Sequence, residues 1–132
     1  MQKPKRPAIL LALMLALAAA NGCAQGCGIQ RTVIQKADVS VENREAVVAR
    51  VELDSGAAAG RHTHPGDEIS YVLEGEGELL IDGAAPRKLK AGDAFVVPAG
   101  TVHDAKNTGP GAMRLVGVYV VEKGRPLASP AK

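Results

Sequence analysis

Short runs of β-branched and apolar residues, each no longer than a strand, alternate with Gly- and Pro-containing breaks along most of this 132-residue chain, which has 15 Gly and 8 Pro. "RTVIQ" (31–35), "AVVARVEL" (46–53), "EISYVLEG" (68–75), "EGELLID" (76–82), "AFVVPAG" (94–100), "TVHDAKN" (101–107) and "MRLVGVYVV" (113–121) all read as strands. "RKLKAGD" (87–93) leads from the turn at "GAAP" into "AFVV". Residues 46–53 alternate Val47, Ala49, Val51 and Leu53 against Val48, Arg50 and Glu52, the period-2 pattern of a half-buried strand. No amphipathic helix of useful length and no internal repeat appears. The pattern predicts an all-β barrel or sandwich, and the length suits one domain with a single closed core.

The first residues stand apart. Lys3, Lys5 and Arg6 precede an unbroken apolar run from Ala8 to Ala20, followed by small and polar residues. This is the pattern of a secretory signal peptide, shorter than the roughly 20 apolar residues that a membrane-spanning helix needs. Residues 1–24 are therefore expected to be removed, with cleavage after Ala20 or Ala24, leaving an exported, periplasmic or secreted protein. The stretch "AANGC" before Cys23 faintly resembles a lipoprotein signal, although Asn21 fits poorly and the usual leucine is missing. Unless Cys23 is lipidated, the mature chain has no membrane partner. Cys23 and Cys27 lie beside the cleavage region with no histidine near, a poor metal site; if both survive cleavage, the alternatives are a disulfide in an oxidising compartment and simple disorder.

The formal charge of +2 comes from 16 Lys and Arg against 14 Asp and Glu. Three of those cations lie in the leader, so the mature chain carries 13 against 14, a net charge of −1. Nothing in that balance suggests a nucleic-acid surface. With Tyr71, Phe95 and Tyr119 as the only aromatics, there is little from which to build a stacking platform. Residues 25–44 form an N-terminal segment with the first strand, 45–121 a β-barrel, and 122–132, rich in Pro and small residues, a loose tail.

In "EISYVLEG" Glu68, Ser70 and Val72 share one face, and the apolar Ile69, Tyr71 and Leu73 share the other. The apolar face needs a cover, either the N-terminal strand or a second subunit, and a homodimer is expected.

The chain has three histidines, His62, His64 and His103, and two of them lie one residue apart on a strand-like stretch. At that spacing both rings project from one face, and Glu68, returning after the Pro65-Gly66 bend, can bring a carboxylate oxygen to the same point. The frame around them is specific: Gly56, five residues, His62-x-His64, three residues, Glu68, six residues, Gly75. A second frame reads Gly92, five residues, Pro98-x-Gly100, two residues, His103, three residues, Asn107, and 16 residues separate Gly75 from Gly92. These resemble the two motifs of the cupin superfamily at every position, over about residues 45–121, in the manner of small single-domain bacterial, quercetin-dioxygenase-like cupins.

The resemblance implies a six- to eight-stranded jelly-roll barrel that holds one divalent metal on His62, His64, Glu68 and His103. Gly56, Gly75, Gly92, Pro98 and Gly100 match turn positions, and Asn107 a structural one. Three imidazoles and a carboxylate leave one or two open positions and suit Mn, Fe, Ni, Co or Zn. A Ser-His-Asp triad has no histidine left over, and no phosphate-binding glycine loop is present. Three function classes follow. The first is an oxygen-using, dioxygenase-like oxidoreductase acting on a small oxygen-rich substrate, with Glu68 also able to accept a proton if it loosens from the metal. The second is a non-redox lyase or isomerase, in which Tyr71, Arg50 or Arg114 would move the proton only if it faced the cavity. The third is a cupin that binds a metal or small ligand without turning it over.

Overall fold

A computed structural model of the protein describes residues 28–132. The expected signal peptide, both cysteines and the start of the predicted N-terminal segment lie outside the described residues. Among the described residues there are ten strands: β1 (Ile29–Asp38), β2 (Arg44–Leu53), β3 (His62–Thr63), β4 (Gly66–Glu74), β5 (Glu76–Ile81), β6 (Arg87–Lys90), β7 (Ala94–Val97), β8 (His103–Asn107), β9 (Met113–Glu122) and β10 (Ser129–Pro130). No helix occurs among the described residues.

The strands form two antiparallel five-stranded sheets, ordered β1-β2-β9-β4-β7 and β10-β3-β8-β5-β6. Non-consecutive strands lie side by side in both, the jelly-roll arrangement that lets distant segments meet between the sheets. The count exceeds the six to eight strands expected because β1 and β10 each add to one edge of a sheet.

The pleat sorts residues strictly. Along β9, Met113, Leu115, Tyr119 and Val121 are buried. Val51, Leu53, Val72, Leu79, Leu89, Phe95, Val97, Met113 and Leu115 make one core cluster. Val47, Ala49, Tyr119 and Val121 make a second, with Leu127 packed against it. Burying each such side chain stabilises the fold by roughly 1.5–3 kcal/mol for the larger ones. Asn107, fully buried, ties the loops beneath the larger cluster. Its Nδ2 donates to the Leu53, Asp54 and Gly111 carbonyls, and its Oδ1 accepts from the Gly109 N–H. The role is structural, as its motif position implied.

Two glycines are required by their surroundings. Gly75, between β4 and β5, has φ +83°, and a Cβ there would lie 2.6 Å from the Ala112 carbonyl oxygen. Gly117, on the inner face of β9, leaves room for the ring of Tyr119: a Cβ at Gly117 would stand 2.7 Å from the Tyr119 hydroxyl.

β4 is inside out for a water-exposed strand. Its buried face carries Gly66, Glu68, Ser70 and Val72, while Ile69, Tyr71 and Leu73 are 44–51% exposed. Val96, opposite Ile69 on β7, is 60% exposed. The N-terminal strand does not cover this face, because β1 pairs edge to edge with β2 at the far side of the same sheet.

The tail is a second departure from expectation. Residues from Glu122 onward are not loose: Ser129 and Pro130 pair with Thr63 and His62, Ala131 donates its N–H to the Arg61 carbonyl, and Leu127 packs on the smaller core cluster. A segment with few large side chains is held here mainly by its backbone, which composition does not report.

Candidate metal centre

The two sheets contribute opposite walls of one buried cluster. From β4, Glu68 points inward beside Tyr119 of β9, its register partner. From the facing sheet, His62 of β3 and His103 of β8 are direct register partners, and His64 follows β3 at the turn into β4. All four predicted residues are buried, and their candidate ligand atoms lie within 4.8 Å of one another. The His62 Nε2 stands 3.1 Å from the His64 Nε2. The Glu68 Oε2 stands 3.0 Å from both the His64 and the His103 Nε2.

The outward nitrogen of each ring is fixed by the main chain. The Nδ1 of His62 lies 2.6 Å from the Gly60 carbonyl, that of His64 2.6 Å from the Leu127 carbonyl, and that of His103 2.9 Å from the Thr101 carbonyl. A carbonyl oxygen only accepts, so each Nδ1 must carry the hydrogen, and in a neutral ring the Nε2 is then a bare lone pair. Three such lone pairs and a carboxylate oxygen face one another. With no proton or cation between them, the His62–His64 contact brings two acceptors together. The donor set therefore fits a cation: His62, His64, Glu68 and His103 could hold one metal ion, and their N and O character suits a divalent transition metal.

Charge follows geometry. Burial raises the Glu68 carboxyl, but without a cation the hydrogen bonds from the His103 and His64 rings when these are protonated, and from Ser70, outweigh it and hold the group well below the usual carboxylate range. Burial pulls His103 down while the Glu68 carboxylate pulls it up, and the net direction is up. His62, farther from that carboxylate, is lowered, chiefly by burial. The Ser70 hydroxyl donates to the Glu68 Oε1 at 2.7 Å, leaving Oε2 for the cluster. The Tyr119 ring lies 4.7 Å from that of His64, and burial, with the Glu68 charge, pushes its hydroxyl up to about 12. Tyr119 thus stays protonated at neutral pH.

Access is unequal. A narrow inner cavity of about 20 Å³ is lined by His62, Glu68, His103, Tyr119 and Arg31, among others. An outer cavity of about 530 Å³ adjoins it, sharing Arg31, Ala59 and His62 with the inner one and adding Arg61 and Ala128. The inner space holds little more than a water, which needs about 10–15 Å³. The outer cavity therefore offers an organic ligand room beside the cluster, with Arg31 at the boundary.

None of the side chains considered as proton carriers in a lyase faces these cavities. Tyr71 is 49% exposed on the outer face and Arg50 is exposed. Arg114 pairs with Glu52 and Glu74 across neighbouring strands. The sequence did not single out Tyr119 or Arg31. For Tyr119 a signal was available, since it follows Met113, Leu115 and Gly117 on the inward face of β9, with a glycine where its ring must fit.

A family model for the cupin domain matches residues 49–121. With the two-sheet fold and the buried cluster, this shows the class: the chain belongs to the cupin family. It is 32% identical over 83 residues to an oxalate-binding protein of Thermotoga maritima, covering 62% of this chain and 68% of that one. Among solved structures, a Klebsiella pneumoniae subsp. pneumoniae protein with a double-stranded β-helix domain superposes with a TM-score of 0.62 at 27% identity, covering 81% of this chain and 87% of that one. An oxalate oxidase structure superposes with a TM-score of 0.53 at 30% identity, covering 56% of this chain and 41% of that one.

Two outcomes are expected. His103→Ala and His62→Ala should each lose most bound manganese on metal analysis, a larger drop than the roughly 10–100-fold typical of changes around ligands. Circular dichroism should still report a folded barrel, because the core clusters are apolar. Unchanged metal content in both variants would remove these residues as ligands. A chain ending at Gly124, which lacks the Leu127 carbonyl, should stay folded yet bind manganese about 10–100-fold more weakly in a chelator competition.

Proposed function

We propose that the protein holds one divalent transition metal on His62, His64, Glu68 and His103 and oxidises a small, oxygen-rich organic acid with dioxygen, as dioxygenase-like cupins do. The observation that carries this is the convergence of three carbonyl-locked imidazoles and a carboxylate on one buried point. When bound, the metal supplies a Lewis acid with open positions. The chain supplies the rest. Three main-chain carbonyls hold the rings in place, Ser70 keeps Glu68 turned toward the cluster, and Tyr119 offers a hydroxyl proton beside it. Glu68 is a weak base while Ser70 and protonated His64 and His103 hydrogen-bond it, and would accept a proton only after leaving them.

Likeness to an oxalate-binding protein and to an oxalate oxidase supports an acid as substrate. Likeness to the oxalate-binding protein of Thermotoga maritima also favours a second reading, capture of an acid without turnover. A lyase or isomerase would use the same centre without consuming oxygen. We assign the site of action to the periplasm or the exterior, on the strength of Lys3, Lys5, Arg6 and the apolar run Ala8–Ala20.

The deciding experiment reconstitutes the protein separately with Mn, Fe and Ni and follows dioxygen in a closed cell with oxalate, catechol-like and diketone substrates. Metal-dependent uptake that disappears in His103→Ala is expected. Tight acid binding with no uptake and no product would establish capture instead, and turnover in the absence of oxygen a lyase.

For the exposed apolar face of β4 and β7 we propose a second copy of the chain as partner. Ile69, Val118 and Val48 lie in one register row with Val96, four strands wide and without a charge. Such faces are uncommon on monomers. Sedimentation equilibrium should give twice the chain mass, with Ile69→Lys shifting the protein to monomer.

A further inference from the structure

Arg31 stands at the boundary between the two cavities, close to the Tyr119 hydroxyl but with no spare counter-ion beside it. It lies on β1 opposite Val51, half-buried, and lines both the inner and the outer cavity. Its Nε is sealed from bulk water with no hydrogen-bond acceptor among the described residues. Leaving such a donor unpaired is costly, and more so when it is charged.

The surroundings hold no spare counter-ion. The outer cavity is lined by two cationic side chains, Arg31 and Arg61, and by no carboxylate. Arg61 is already engaged with Asp82 and with the main-chain carbonyl of Lys132. In the inner cavity Glu68 is the sole acidic residue, and its oxygens are taken by Ser70, His64 and His103. A divalent cation at the cluster would commit that carboxylate further and add positive charge on the same side.

We infer that Arg31 is the anion anchor of the site: its guanidinium binds a carboxylate of a short organic acid lodged in the outer cavity, while the acid's other oxygen-bearing end reaches the cluster past Ala59 and His62. The inference rests on the acid reading above and names the residue that selects for it. The planar fork of an arginine suits a carboxylate in two parallel hydrogen bonds, and partial burial strengthens the pair. Uncharged substrates, whose carbonyls can accept from the guanidinium but do not neutralise its charge, are selected against.

The test uses the full-length protein loaded with manganese and titrated calorimetrically with oxalate and, as the uncharged analogue of similar shape, oxamide. In Arg31→Gln, oxalate affinity should fall about 10–100-fold, as expected for loss of a charge-assisted pair. Oxamide binding, manganese content and melting temperature should stay unchanged. Arg31→Lys should recover part of the oxalate affinity, having the charge without the fork. Oxalate affinity in Arg31→Gln within about threefold of the wild type overturns the anchor. Equal losses for oxalate and oxamide also overturn it, making Arg31 a purely structural residue. A wild-type protein that retains no manganese overturns the proposed function itself, and the anchor with it. Metal analysis before titration therefore tells the two failures apart.

Discussion

Three imidazole lone pairs and a carboxylate oxygen are held face to face in the interior, and the remaining features of this molecule are arranged around that repulsion. Acceptors do not pack against acceptors at about 3 Å without a positive charge between them. The protein blocks the easy escape, which would be to turn a ring or shift its hydrogen. Each Nδ1 is committed to a main-chain carbonyl, from Gly60, Leu127 or Thr101. Burial limits the other escape, because the inner space admits little more than one water. The two apolar core clusters offset the cost of assembling the site, which can then take up a cation in competition with protons.

The jelly-roll topology makes that assembly achievable with short strands. His62 and His103 are 41 residues apart in the chain yet direct partners across β3 and β8. Glu68 arrives from the opposite sheet, where its neighbour is Tyr119. Placing Glu68 and Ser70 inward forces the odd-numbered residues of β4 outward, since the pleat leaves no other choice. The apolar outer face of β4 is thus the other side of the same register that builds the centre, and a one-residue slip would exchange the two.

Much of this was legible in the sequence, and the illegible part has a common cause. Strand positions and the four candidate ligands could be read because period-2 alternation and fixed glycine spacings constrain side chains. Asn107 could be set aside as structural for the same reason. The tail could not be read. Its contribution is a carbonyl at Leu127 and a backbone pairing at Ser129 and Pro130, and neither depends on a recognisable side chain. Arg31 was hidden differently. On the first strand a cation facing inward looks like any surface charge until the register with β2 shows which face it takes. Tyr119 and Tyr71 are equivalent in composition. Only the choice of inward face separates a hydroxyl beside the cluster from one in solvent.

The centre is consequently asymmetric in how tightly its walls are specified. On the histidine side, each ring is braced by a carbonyl, and any change disturbs the donor set itself. On the side of the outer cavity, the boundary is formed by Ala59, His62 and an edge strand whose inward residues at this level are Ile29 and Arg31. β1 is paired on one side only, and most of its other residues are exposed. Substitutions there would leave untouched the groups that could hold an ion. The candidate ligands of the cation and the residue proposed to select the organic ligand thus lie in separate parts of the chain, the first within the cupin motifs and the second on a strand outside both. That division explains why likeness within the motifs is a weak guide to substrate: the residues that would report it, Arg31 foremost, lie where the motifs impose nothing.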